Sequence, residues 1–148
     1  MPRSLWDDAN RRYVLARVAR LTPDTPPRWG RFSAGAMLAH LNDYSRLALG
    51  DLSMPPVRGP LATAPGRWLA VHVLPMTRGL TAPPVLLTTP PAAFEVDRAD
   101  FGRLLARCAA RGPTEPWPVS PLFGPLTGPE WGALAYKHAD HHLRQFGV

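Results

Sequence analysis

Residues 127–146, TGPEWGALAYKHADHHLRQF, read as one uninterrupted helix. Thr127 and Glu130 stand at capping-box spacing, Pro129 falls in the first turn where no N–H is needed, and helix formers follow without a break. On a wheel of about 100° per residue with Trp131 at zero, Leu134 falls near 300°, Ala135 near 40°, His138 near 340° and His142 near 20°. Both imidazoles therefore sit mid-way across the apolar face. Lys137, Asp140 and Arg144 fall at roughly 180–240°, on the far side, and His141 near 280° marks the boundary. Side chains four apart on a helix are neighbours, so His138 and His142 can chelate one ion. Zinc metalloprotease helices use this spacing with a Glu base after the first His, a position filled here by Ala139.

Outward from this helix, proline divides the chain into periodic blocks. Residues 7–21 open on Asp7 and Asp8, and Val14, Leu15, Val18 and Leu21 recur at helical spacing. Residues 33–49 open on Ser33, a good N-cap, and close at Gly50. Residues 66–74 read as a short helix stopped by Pro75, set among ordered Pro-rich loops that occupy the rest of 55–91. A further helix is expected to start near Asp97, where Asp97 and Asp100 have capping-box spacing, with Phe101, Leu104, Leu105 and Cys108 on its apolar face. No stretch alternates like a strand for long enough to nucleate a sheet. Four substantial amphipathic helices and a short fifth predict an all-α, single-domain helical bundle over residues 1–148.

Composition sets the outer limits. An apolar fraction of 45% over 148 residues supports one folded domain. A single cysteine excludes a disulfide framework and a Cys-rich zinc module. The longest apolar run, 68–76, contains His72 and Pro75 and is too short for a bilayer, and the first residues lack a signal-peptide core, so a cytoplasmic protein is expected. The formal charge of +6 raises nucleic acid as a partner. The 16 arginines, however, are scattered, and the densest group, Arg11, Arg12, Arg17 and Arg20, points several ways around its helix. They read as surface residues.

In the 33–49 helix, with Met37 at zero, Tyr44 falls near 340°, His40 near 300° and Asp43 near 240°. His40 leans toward the core; Asp43 reads as a boundary residue. Taken singly, an inward histidine is more often a core residue bonded to a carbonyl, and two on one face can be a hydrogen-bonded pair. Three aimed inward from two helices would need separate partners, whereas one divalent ion satisfies all three and keeps a position open. His72 reads as structural, Cys108 as a buried inert thiol, Tyr44 as core or a donor to substrate, and His141 as solvated or an outer base.

The segment Trp29-Gly-Arg-Phe-Ser-Ala-Gly-Ala-Met-Leu-Ala-His-Leu41 resembles the second-helix signature of the DinB-like (YfiT-like) superfamily, an aromatic residue and Ser/Thr cap before a helix carrying Leu-x-His-Leu. Residues 137–145, KHADHHLRQ, resemble its last-helix motif His-x-x-His-His-x-x-Gln. The run 121–127 together with Phe146-Gly147-Val148 is similar to an uncharacterised bacterial branch described only as a domain of unknown function. The resemblance implies a four-helix bundle holding a metal on His40, His138 and His142, the three that the wheels select. Relatives bind zinc or nickel and include thiol S-transferases and a thiol-dependent isomerase, which implies a divalent metal and a low-molecular-weight thiol as cofactors. The Pro-rich segment departs from the family pattern.

Three neutral imidazoles leave a divalent ion its full charge, which favours transferase or hydrolase chemistry on a small molecule. The residues do not name a general base. The competing reading is a non-catalytic ligand- or partner-binding bundle with a vestigial metal site. The expected partner is a small-molecule substrate, with no specific nucleic acid and no membrane; a homodimer is left open.

Overall fold

The computed structural model describes residues 2–79, 82–87 and 89–148, so residues 80, 81 and 88 of the Pro-rich stretch lie outside it. Among the described residues there are five α-helices: α1 (Asp8–Val18), α2 (Ala34–Leu49), α3 (Ala64–His72), α4 (Phe94–Ala110) and α5 (Gly128–Gln145). Among the described residues there is no strand, only an isolated bridge between Ser120 and Gly124. The all-α expectation is met.

Most helix ends follow from local chemistry. Asp7 caps α1 by accepting from the Ala9 and Asn10 N–H groups, and the Ser33 hydroxyl accepts from the Ala36 N–H at the start of α2. Gly50 closes α2 at φ +81°, where its N–H reaches back to the carbonyls of Arg46 and Leu47. Thr127 and Glu130 form the reciprocal capping box of α5. The start of α4 differs from expectation. The helix begins three residues before Asp97, at Phe94, and its N-cap Ala93 makes no side-chain bond. Asp97 is buried one turn in, where its carboxylate accepts from the Ala92 N–H while its carbonyl accepts from Asn42. Those two bonds hold the chain entering α4 in place of an N-terminal cap. Helix α3 spans 64–72, shifted two residues toward the N-terminus of the 66–74 reading. Pro60–Ala62 and Pro84–Leu86 form 3-10 turns on either side of it.

The core draws Val14 and Val18 from α1, Met37 and Leu41 from α2, Phe101 and Leu105 from α4, and Trp131 and Leu143 from α5. Two polar ties fix α5, which carries two of the candidate ligands. Arg17 donates to Asp140 Oδ1 at 2.6 Å and to the Val148 carbonyl at 2.7 Å. It is buried, so not every arginine is a surface residue. Lys137 donates to the carbonyls of Ala70 and Leu74 at 2.8 and 2.9 Å, strapping the end of α3 to α5.

Helix α3 also corrects the reading of His72. It buries Val71 but leaves Trp68, Leu69 and His72 exposed, and the Trp68 and His72 rings lie 5.5 Å apart outside the core. The helix is apolar on both faces, so periodicity could not choose between them. Among the described residues no helix is long and apolar enough to cross a membrane.

Candidate metal centre

Helix α2 contributes His40, and α5 contributes His138 and His142 one turn apart. The three meet in the interior, with relative exposures of 4%, 7% and 8%. One nitrogen from each lies within 4.8 Å of the others, and among the described residues no other group of His, Cys, Asp or Glu is so assembled. His40 Nε2 and His138 Nε2 are 2.9 Å apart. Two nitrogens about 2.1 Å from one ion lie about 3.0 Å apart at a right angle and about 3.4 Å apart at a tetrahedral one, so this separation is close to that of neighbouring ligands. The rings stand edge to face in each pairing, with centroids 4.8 to 5.0 Å apart.

The electrostatics keep the imidazoles neutral, as metal ligands must be. Burial pulls His142 down from 6.5 to about 4, and it lowers His40 and pushes His138 well below the ordinary histidine value. The neighbouring imidazoles add to the effect on His138 and His142, because a charge on one opposes a charge on the next.

The outer nitrogens differ. His40 Nδ1 lies 2.9 Å from the Leu86 carbonyl, which can only accept. His40 therefore carries its proton on Nδ1 and presents a bare Nε2 to its neighbours. His142 Nδ1 contacts Gln145 Oε1 at 2.8 Å. Among the described residues, His138 Nδ1 is buried with no hydrogen-bond partner. Donor chemistry, neutrality and the outer-nitrogen bonds together make this a group that could hold a metal ion.

Phe32, from the loop before α2, roofs the cluster. Its ring stacks on His40 at 5.3 Å and meets His142 edge-on at 5.6 Å. A cavity of about 220 Å³ lined by Met76, Lys137, Asp140 and His141 reaches the outer His141 rather than the triad. His141 is partly exposed, its ring 5.2 Å from that of His142, and burial lowers its pKa.

Other sequence candidates fall outside the cluster. Asp43, read as a boundary residue, is 2% exposed, because Arg46 from the next turn bonds its Oδ1 at 2.9 Å and extends to Asp100 on α4. Tyr44 points inward as expected; its ring is 4.7 Å from His138, and burial raises its pKa. Cys108 is buried and pushed up to about 12, an inert thiol at neutral pH. Periodicity missed the Leu86 carbonyl, Phe32 and the work of Gln145. Phe32 sits in an irregular loop and Leu86 in a short 3-10 turn, where a wheel has no meaning; the family-like motif ending at Gln145 was the one available signal.

No protein-family model, curated protein or solved structure matches the chain.

Proposed function

We propose that the chain is a DinB-like four-helix-bundle protein that holds one divalent ion on His40, His138 and His142 and acts on a small molecule, either as a metal-dependent transferase with a low-molecular-weight thiol as co-substrate or as a hydrolase. The observation that carries this reading is the convergence of three buried, neutral imidazoles with one nitrogen of each within 4.8 Å of the others. The four long helices and the two sequence motifs support the family assignment. Bound there, zinc or nickel supplies Lewis acidity, lowering the pKa of a thiol or water and stabilising an oxyanion. The protein supplies neutral nitrogens, so no ligand charge offsets that of the ion.

Metal analysis of chelator-free protein, before and after reconstitution with zinc or nickel, tests the reading. One ion per chain is expected, lost in the His40, His138 and His142 triple alanine variant. Absence of metal after reconstitution defeats it.

One observation favours the non-catalytic alternative: the triad is roofed by Phe32, and the neighbouring cavity stops at His141. Cobalt-loaded protein separates the two readings. A small thiol that shifts the cobalt absorption bands reaches the ion, as an enzyme requires; unchanged bands leave a closed, non-catalytic site.

A further inference from the structure

We propose that Gln145 is a positioning residue for this centre, selecting the tautomer of His142 under instruction from the backbone of the Trp29 loop. The inference rests on the metal-centre reading above, and it concerns a residue outside the ligand set.

The logic is one of donors and acceptors. Gln145 is 5% exposed and bonded at both ends of its amide: Nε2 donates to the Trp29 carbonyl at 2.8 Å, and Oε1 faces His142 Nδ1 at 2.8 Å. A carbonyl only accepts, so Trp29 can face only the NH₂ end; turning the amide over would set oxygen against oxygen. Oε1 is thereby held toward the imidazole, and an oxygen needs an N–H opposite it. A neutral imidazole has one N–H. With that proton on Nδ1, His142 Nε2 carries a bare lone pair.

The Trp29 loop is built to hold the amide. The Arg28 N–H donates to the Gln145 backbone carbonyl at 2.6 Å, so the loop grips both the main chain and the side chain of one residue. Gly30 makes the approach possible. It lies at φ +77°, and a Cβ there would stand 2.6 Å from Gln145 Nε2. Position 30 thus needs glycine both for its backbone conformation and for the space that the amide occupies.

The same outcome is reached at His40 without an intermediary, through the Leu86 carbonyl. Among the described residues His138 has no such partner on Nδ1, which leaves it free to donate from Nε2 to the bare Nε2 of His40 in the metal-free protein. Two ligands are preset and one adapts.

The test begins with metal-free protein, so that it does not depend on metal binding. Long-range ¹H–¹⁵N correlation spectra of the imidazoles should show His142 as the Nδ1–H tautomer; an Nε2–H tautomer in the wild type overturns the proposal. Gln145→Met keeps the length of the side chain and removes the acceptor. It should release the tautomer preference and weaken zinc binding, measured by competition with a chromophoric chelator, by about 10- to 100-fold. Gly30→Ala, which displaces the amide without touching a ligand, should mimic Gln145→Met. A folded Gln145→Met protein that keeps both the Nδ1–H tautomer and wild-type zinc affinity shows that Gln145 merely fills space. A wild type that has the expected tautomer but takes no zinc would defeat the metal reading and leave the hydrogen-bond relay standing.

Discussion

Acidification of the metal-free protein offers a quantitative prediction. In the folded chain burial pulls His142 from 6.5 to about 4 and moves His40 and His138 the same way. On unfolding each regains a value of about 6.5. Between about pH 6.5 and pH 4 the unfolded chain therefore binds more protons than the folded one, and the unfolding free energy falls as pH falls. At pH values well above 6.5 neither state binds these protons, so this source of stability is fully present there. For His142 alone the drop corresponds to about 3 kcal/mol once both states are protonated, and to about 2 kcal/mol already at pH 5. His40 and His138 add to it with the same sign. Urea denaturation followed by circular dichroism, with a chelator present, at several values from pH 8 to pH 5, measures the slope. His142→Leu should flatten it. An unfolding free energy constant to within about 0.5 kcal/mol over that range, or rising on acidification, would refute the claim that the imidazoles are buried and neutral.

Two glycines in helix interiors should respond in opposite ways to alanine. A Cβ at Gly132 would collide with the Ser4 hydroxyl and stand 2.7 Å from Trp6 Cδ1, so Gly132→Ala should destabilise by about 1–3 kcal/mol. At Gly102 the nearest atom is Leu15 Cδ2 at 4.0 Å, so Gly102→Ala should be stabilising by about 0.5–1 kcal/mol, both variants being compared with the wild type by urea denaturation. Thr127→Ala removes the capping box of α5 and should cost about 1 kcal/mol by chemical denaturation. Arg17→Ala strips donors from Asp140 and the Val148 carbonyl; because Arg144 still pairs with Asp140, the loss should be about 2–3 kcal/mol, while Arg12→Ala, on an exposed ion pair, should change stability by less than about 0.5 kcal/mol.

What could be read without coordinates was what the chain encodes locally. Ser33, Gly50 and the Thr127–Glu130 pair announce their helix ends because a cap is a contact between residues three or four apart. The inward angle of three histidines followed from the helical period alone. The misread positions are those where a distant segment outweighs the local signal. Asp97 looks like a cap, yet bonds from Ala92 and Asn42 draw it into α4 and let the helix start earlier. Asp43 is drawn inside by an ion-pair chain that crosses to α4. The carbonyls of Trp29 and Leu86 belong to loops, and a backbone group carries no signature in the one-letter code.

Lys137 has a consequence for chemical labelling. The chain has 16 arginines but this one lysine, and its ammonium is engaged with the carbonyls of Ala70 and Leu74. Acetylation, or any amine-directed cross-linker, therefore has a single side-chain target here, and reaction requires that amine to let go of those two carbonyls. Its rate of modification, readable by mass spectrometry without introducing a probe, therefore reports how often this one tie between α3 and α5 is released.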